Sequence, residues 1–547
     1  MVISSVYNYF FSRSTNTSPV HQDHHHNFST YNRPTDYNSF HPNLKPVLQQ
    51  LDAISPRFIV NANDITILND PKVFYQTLCK KISQAKSRVF LTSLYIGKTQ
   101  YELIEIIDKA LTANEDLKID ILTDALRGTR ESPQAPSSAT LLLPLIEKFG
   151  NHRINIRMYH TPHLAGFVKS ITPKRINEGW GLQHMKLYGF DNEIILSGAN
   201  LSNDYFNDRQ DRYYIFNDKN LTDYYYKIQA AIQSISYQIL PSSKLPAGFR
   251  LSWPTSNKSC EPHLNLHRFI QDSSHLLDPL LKTNGQSQTT SSEIPSNFDT
   301  VVYPISQFTP LFPDQNDRST EKPAILRLLS YLDSSSNIKW WFTAGYFNML
   351  PQIQDKLLNS KNSKGVVITA SPKANSFYKS SGISYYLPQA YLLFAKRFLE
   401  QIQKLNKQDF VSVFEWENGI VNTPNGWSYH AKGIWITTPN EDHPSMTIIG
   451  SSNYTKRAYS LDLESNAIIV TRNAELKSKM RHEIDHLMEH AKPLNLSDFH
   501  PKPVNDKQEE LPEKANKESS PPVYEIDEDK KIGYGVHLAV KLLGGKL

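Results

Sequence analysis

The sequence predicts an α/β protein of two related domains in tandem, each a mixed β-sheet flanked by helices, with one active site shared at their interface. Three observations carry that expectation. Short apolar, β-rich runs alternate with helical patterns, the same order of elements occurs twice, and one set of polar residues recurs at matched points of the two halves. The 547 residues suffice for several domains of ~100–200 residues each. Hydrophobic residues make up 39% of the chain, yet no stretch approaches the ~18–20 uninterrupted apolar residues that cross a bilayer. Lys and Arg exceed Asp and Glu by 59 − 54 = 5, which permits an anionic substrate or surface but does not by itself argue for nucleic acid. Two cysteines, Cys79 and Cys260, make no disulfide framework in a chain of this size.

Residues 1–45 read as a polar tail rich in Ser, Asn, Thr and His, without an acidic residue before Asp23. This composition is compatible with a mitochondrial presequence, though poor in arginine. The run His24-His25-His26 belongs to the tail rather than to a metal site, because nothing around it supplies a rigid coordination geometry. The first domain, 46–272, is expected to place a buried strand in Ser87–Ile96 and a second in Leu117–Asp124. A helix at Ala139–Lys148, a strand at Ile154–Tyr159 and a closing helix at Tyr224–Leu240 follow. The second domain, 301–500, repeats that order with Ile338–Phe347, Gly365–Ala370, Pro388–Gln403, Val411–Trp416 and Ala474–His490. Trp340, Trp341, Phe342 and Phe347 fall in its first strand and read as core rather than as a surface patch. A linker, 273–300, centres on the polar stretch Thr283–Asn297. A charged connector, 501–531, leads to a short C-terminal helix, 532–547, read as a docking helix with membrane contact as the sharper alternative.

The chemistry lies in the matched segments. His184-Met185-Lys186 answers to His430-Ala431-Lys432, and on an extended chain residues i and i+2 share a face, so each His projects with its Lys. Asn200 and Ser202 answer to Asn453 and Thr455, and eleven residues after each Asn stands a carboxylate, Asp211 and Glu464. A lone H-x-K is close to noise; a pair with matched Asn, hydroxyl and carboxylate is not. A phosphodiester needs this set twice. Two lysines and two amides can hold the charge of a pentavalent transition state without a metal. One histidine can attack phosphorus while the other protonates the leaving oxygen, and a buried carboxylate fixes each ring's tautomer.

These motifs, H-x-K-x-x-x-x-D up to Asp191 followed by G/S-x-x-N, resemble the phospholipase D superfamily. Longer stretches, among them Leu126-Arg-Gly-Thr-Arg130, Gly181-Leu-Gln-His-Met-Lys-Leu-Tyr-Gly-Phe-Asp191, Tyr303-Pro-Ile-Ser-Gln-Phe308 and Asn425-Gly-Trp-Ser-Tyr-His-Ala-Lys-Gly433, narrow it. They are similar to the mitochondrial phosphatidylglycerophosphate synthases, CDP-diacylglycerol–glycerol-3-phosphate 3-phosphatidyltransferases, in their fungal form. The resemblance runs from about Val47 to the C-terminus. It implies two phospholipase D-like domains and transfer of a phosphatidyl group from CDP-diacylglycerol to sn-glycerol 3-phosphate. It also implies a catalytic set of His184, Lys186, Asp191, His430 and Lys432, no metal or other cofactor, and no nucleic-acid partner. A peripheral site on a membrane surface, on the matrix face of the mitochondrial inner membrane, follows as well. The second motif departs from the pattern, with Thr437 where Asp is usual and a polar insertion, Thr438–Pro444, after it. This favours His184 as nucleophile and His430 as acid/base.

Arg127, Arg130, Lys174 and Arg175 are candidate phosphate contacts, with cap or surface roles as the alternative. Gly97-Lys98-Thr99 matches the end of a phosphate-binding loop, but Thr92 stands where the first Gly belongs, and ATP binding is not expected. Three other readings use the same residues: a hydrolase with water as acceptor, a DNA-end phosphodiesterase, and a non-catalytic scaffold. Acceptor dependence, salt-sensitive DNA binding and turnover itself discriminate them.

Overall fold

The computed structural model describes residues 37–281, 298–503, 524, 525 and 527–543. A presequence, the His24-His25-His26 run, the linker stretch Thr283–Asn297 and most of the charged connector lie outside these residues. The strand runs expected from β-rich composition are present, and each alternates its side chains between two cores. In β3 (Arg88–Thr92), Val89 and Leu91 enter an outer core while Phe90 enters the core between the sheets. In the matching strand β13 (Lys339–Ala344), Trp340 and Phe342 face outward and Trp341 inward, all buried.

Each half builds one nine-stranded mixed sheet. The first contains β2 (Ile65–Leu68), β3, β4 (Lys118–Asp124), β5 (Ile154–Tyr159), β6 (Leu187–Phe190), β7 (Glu193–Ser197), β9 (Tyr213–Phe216), β10 (Tyr237–Pro241) and β11 (Phe249–Ser252). Its spatial order is β11-β10-β5-β4-β3-β6-β7-β9-β2. The second contains β1 (Phe58–Ile59), β12 (Thr300–Gln307), β13, β14 (Lys364–Ala370), β15 (Val411–Trp416), β17 (Lys432–Thr437), β18 (Pro444–Gly450), β19 (Glu464–Thr471) and β20 (Ala491–Pro493). Its order, β1-β12-β19-β18-β17-β13-β14-β15-β20, repeats the first across eight strands. In both sheets the central trio (β3, β4, β5; β13, β14, β15) is parallel, joined by crossover helices, and the flanking strands are antiparallel hairpins. The Lys219–Gln233 and Ala474–Met488 helices pack between the sheets, Ile228 and Ile232 of one sharing a core with Met480 and Ile484 of the other.

Several boundaries differ from the sequence expectation. Tyr37, Phe40 and Leu44 are buried, so packing begins inside the stretch read as tail. Together with the Lys45–Asp52 helix they cover the second half's outer core, and β1 pairs with β12, so this opening segment serves the second sheet rather than the first. Residues 273–281, assigned to the linker, complete the Leu266–Leu281 helix, whose Phe269, Leu277 and Leu281 are buried. The helix expected over Tyr224–Leu240 stops at Gln233, and Tyr237–Pro241 turns back as β10 against β5. At the other end, Lys530 pairs with Glu415 and Asp529 with Lys373, fastening the end of the connector to the second half.

Candidate active site

Two short parallel pairings between the halves place the histidines. β8 (Arg209–Gln210) pairs with β16 (Ser428–Tyr429), and Gln183 bridges Leu463. His430 N–H then donates to Gln210 O at 2.8 Å, and His184 N–H donates to Leu463 O at 2.9 Å. Gln210 and Leu463 each precede a carboxylate, and those carboxylates meet the histidines of the opposite half. His430 Nδ1 lies 2.7 Å from Asp211 Oδ2, and His184 Nδ1 lies 2.9 Å from Glu464 Oε1. The carboxylate of each half therefore orients the ring of the other, a crossing that offsets along the sequence cannot reveal.

Lys186 and Lys432 are buried beside their histidines. Lys186 Nζ donates to His184 O at 2.6 Å, and Lys432 Nζ lies 3.0 Å from His430 Nε2. Removing these charges from water sets the electrostatics. Burial, then the neighbouring Lys186, holds the His184 imidazolium far below the ordinary histidine range, and burial with Lys432 does the same to His430. Burial brings Lys186 down to about 7 and Lys432 to about 8, and raises Glu464 to about 7. Asp211 is also raised by burial. The site is a desolvated cluster in which cationic forms suppress one another. An incoming diphosphate anion reverses that sign and favours the protonated lysines and imidazole.

The two histidines differ. Tyr205 OH lies 3.3 Å from His430 Nε2, its ring standing edge-on to the imidazole, and Tyr346 meets the same ring from 5.4 Å. At the position matching Tyr205, five residues after the second Asn, stands Ala458. The His184 side chain retains 12% exposure against 4% for His430.

The remaining candidates divide. Asn200 is engaged locally: its Nδ2 donates to Tyr205 OH at 3.0 Å and its Oδ1 accepts from Leu94 N, so it positions Tyr205. Asn453 has a buried Oδ1 without a partner among the described residues, an amide still able to turn toward a ligand. Ser202 bonds Asp204 and Tyr95, and Thr455 Oγ1 accepts from Ala458 N, so both fix local turns. Asp191, grouped with the catalytic set, is not in the site. Its carboxylate accepts from Lys86 N, Ser87 N and Arg88 N, tying the β6–β7 turn to the start of β3. Thr437 Oγ1 accepts from Lys339 N at the start of β13, the same task in the second half, and a register shift at Ile436/Thr437 leads into the insertion.

Arg127 stacks on Tyr95 with 3.9 Å to the ring centroid and pairs with Glu131, while Arg130 pairs with Glu131 and Glu178. Lys174 donates to carbonyls of Arg130 and Ser132, and Arg175 reaches Ser384 Oγ. These four side chains are thus already engaged. Gly97 stands where a Cβ would lie 2.7 Å from Ser202 Cβ, which explains the glycine by close packing; Lys98 and Thr99 are exposed. Sequence reasoning missed Tyr205 and Ser451, whose hydroxyl bonds Glu464, and also buried Asp124, which holds the Gln183 N–H beside His184. The five-residue offset from Asn200, compared with Ala458, is the signal that marks Tyr205.

A family model described as cardiolipin synthase, PLD-like domain matches residues 78–232. A CDP-diacylglycerol–glycerol-3-phosphate 3-phosphatidyltransferase of Saccharomyces pastorianus is 49% identical over 495 residues, covering 90% of this chain and 89% of the relative. The protein of that name from Saccharomyces cerevisiae is 46% identical, covering 94% of each chain, and the human one, named mitochondrial, is 30% identical, covering 80% of each. Among solved structures, the phosphatidylserine synthase of Haemophilus influenzae superposes with a TM-score of 0.61 at 20% identity, over 82% of this chain and 91% of that one, a likeness of fold. With these relatives matched over 80–94% of their length and the paired motifs in place, the chain belongs to the CDP-diacylglycerol–glycerol-3-phosphate 3-phosphatidyltransferase family of the phospholipase D superfamily.

Proposed function

We infer that the chain transfers the phosphatidyl group of CDP-diacylglycerol to sn-glycerol 3-phosphate, giving phosphatidylglycerophosphate and CMP. Family membership supports the reaction, and the crossed histidine–carboxylate pairs supply its chemistry. His184, its Nδ1 held by Glu464 and its ring neutral and more open, attacks the lipid-side phosphorus through Nε2. A P–N bond forms, the P–O bond to CMP breaks, and His430 Nε2 gives its proton to the departing phosphate oxygen. A hydroxyl of glycerol 3-phosphate then returns a proton to His430 and attacks phosphorus, breaking the P–N bond. Lys186, Lys432 and the Asn453 amide hold the phosphoryl oxygens, and Tyr205 steadies His430 for both transfers.

The mitochondrion is the compartment, in keeping with the names of the vertebrate relatives. The finer reading is the matrix face of the inner membrane. Among the described residues no helix is long and apolar enough to cross a membrane, so a peripheral position suits a lipid substrate. The test is CMP release from CDP-diacylglycerol in detergent micelles with and without glycerol 3-phosphate. Release that requires the acceptor, and is lost in His184→Ala, is expected. Equal release without acceptor, yielding phosphatidic acid, would mean a hydrolase, and inversion at phosphorus would remove the covalent intermediate.

A further inference from the structure

More than half of the large apolar side chains exposed among the described residues belong to three segments that lie together. The first is the Gly166–Ile171 and Lys174–Asn177 helices, where Phe167 is 76% exposed and Ile171 and Ile176 also face water. The second is the turn Gly382–Tyr386 with Tyr385 and Tyr386, and the third is the Tyr534–Leu543 helix with Tyr534 and Leu538. Contacts join them. Arg175 reaches Ser384 Oγ at 3.4 Å, and the Tyr386 ring lies 3.5 Å from where a Cβ on Gly535 would sit. Val536 and Val540 pack on Ala390 and Leu393, so the C-terminal helix is docked on one side while Tyr534 and Leu538 stay outside.

The charge within the three segments is one-sided. No acidic residue occurs from Thr161 to Asn177, from Pro372 to Leu399, or from Lys530 to Leu547. Exposed Lys169, Lys379 and Lys541 lie in these segments, the adjoining Glu178 and Asp529 are paired with Arg130 and Lys373, and exposed Asp527 and Glu528 stand just outside the basic run that opens at Lys530. The surface also borders the candidate site. Glu178, directly after the second helix, accepts from Arg457 through its carbonyl, and His184 follows six residues on. On the other side Tyr391 stacks on Tyr346, which stands edge-on to His430.

Resting on the transferase reading above, we propose that these three segments are the membrane-docking face, with Phe167, Ile171, Tyr385 and Leu538 entering a bilayer of anionic lipid so that CDP-diacylglycerol reaches the histidines from the bilayer. Exposed apolar side chains among exposed lysines, at the rim of a site for a two-chain lipid, suit a lipid surface by both solvation and charge. A second copy of the chain, or its own residues 1–36, are the other possible occupants.

The test is flotation of the full chain with vesicles of phosphatidylcholine, with and without phosphatidylserine. Phe167→Ser/Ile171→Ser is expected to lower the bound fraction about tenfold or more, and raised salt to weaken binding of the unaltered protein. Leu264→Ser, an exposed apolar position elsewhere, serves as control and stays unchanged. Turnover of a short-chain, water-soluble CDP-diacylglycerol should survive in the double variant while turnover of the vesicle-borne lipid falls with binding. Unchanged flotation of the double variant overturns the proposal, as does loss of flotation on removing residues 1–36 alone. So does a self-association that Phe167→Ser/Ile171→Ser abolishes without touching flotation. If the unaltered protein fails to turn over the soluble substrate, the transferase reading falls, and flotation still decides the docking face.

Discussion

Burial moves Lys186 and Lys432 into the neutral range, and that sets how the site responds to pH. Each lysine carries its proton below its own value, about 7 and about 8, and loses the charge that attracts a diphosphate as pH rises past it. Glu464 works in the opposite sense, losing its charge as pH falls through about 7 and with it the hold on His184 Nδ1. The expected kcat/KM profile is therefore a narrow bell, its alkaline limb near 7–8 rather than near the ordinary lysine value of ~10.4. Steady-state kinetics on micellar CDP-diacylglycerol across pH check this. An alkaline limb beginning only above pH ~10 would mean that the lysines remain solvated. The residue scale is also where the sequence spoke most clearly: His184, Lys186, His430 and Lys432 stand in the two H-x-K pairs, and their burial together follows from matched positions in a repeat. The exchange of Asp211 and Glu464 was not legible, because an offset along the chain says nothing about which half a side chain enters.

At the scale of elements, the two β-hairpins that follow the histidines are fastened at the same point by different chemistry. Asp191 binds three backbone N–H groups at the start of β3, and Thr437 binds one at the start of β13. Asp191→Thr should therefore lower stability by about 1–3 kcal/mol, because three backbone N–H groups, those of exposed Lys86 and Ser87 and half-buried Arg88, lose an ionised acceptor, while kcat of the folded fraction stays within a few-fold. Denaturant unfolding alongside activity separates the two. A loss of kcat in a protein of unchanged stability would return Asp191 to the chemistry. The central strands were legible for the reason that their two faces are both covered: runs such as Trp340-Trp341-Phe342 have nowhere to go but a core. The edges were not. Tyr237–Pro241 continues a helical pattern in composition, and only its pairing with β5 makes it a strand. The opening segment from Tyr37 to Ile59 belongs by sequence to the first half and by pairing to the second, a long-range choice that local pattern does not encode.

Across the whole molecule, Arg212 joins the halves. From the first half it forms a two-pronged pair with Glu483, at 2.8 and 3.0 Å, donates to the carbonyls of Lys432 and Ile448, and stacks on Trp435. Gly433 is required beside it, since a Cβ there would lie 1.8 Å from Arg212 Nη1. Arg212→Ala leaves Glu483 buried without its cation and should cost about 3–5 kcal/mol, read as a lowered denaturation midpoint. Because Arg212 also holds the Lys432 carbonyl, activity should fall in the same variant even where it remains folded. Stability within about 0.5 kcal/mol of the unaltered protein would show that the halves are held by apolar packing alone.

The crossed carboxylates carry a consequence for ancestry. A single half associating with its own copy about a twofold axis would build the same two histidine–carboxylate pairs, but as identical twins, each obliged to serve equally well as nucleophile and as proton carrier. Covalent joining of the copies releases that obligation. Tyr205 can then persist in one half while Ala458 occupies its counterpart, and the twins become specialists. Neither half by itself, as a single copy, holds a complete histidine–carboxylate pair, because each keeps the other's carboxylate.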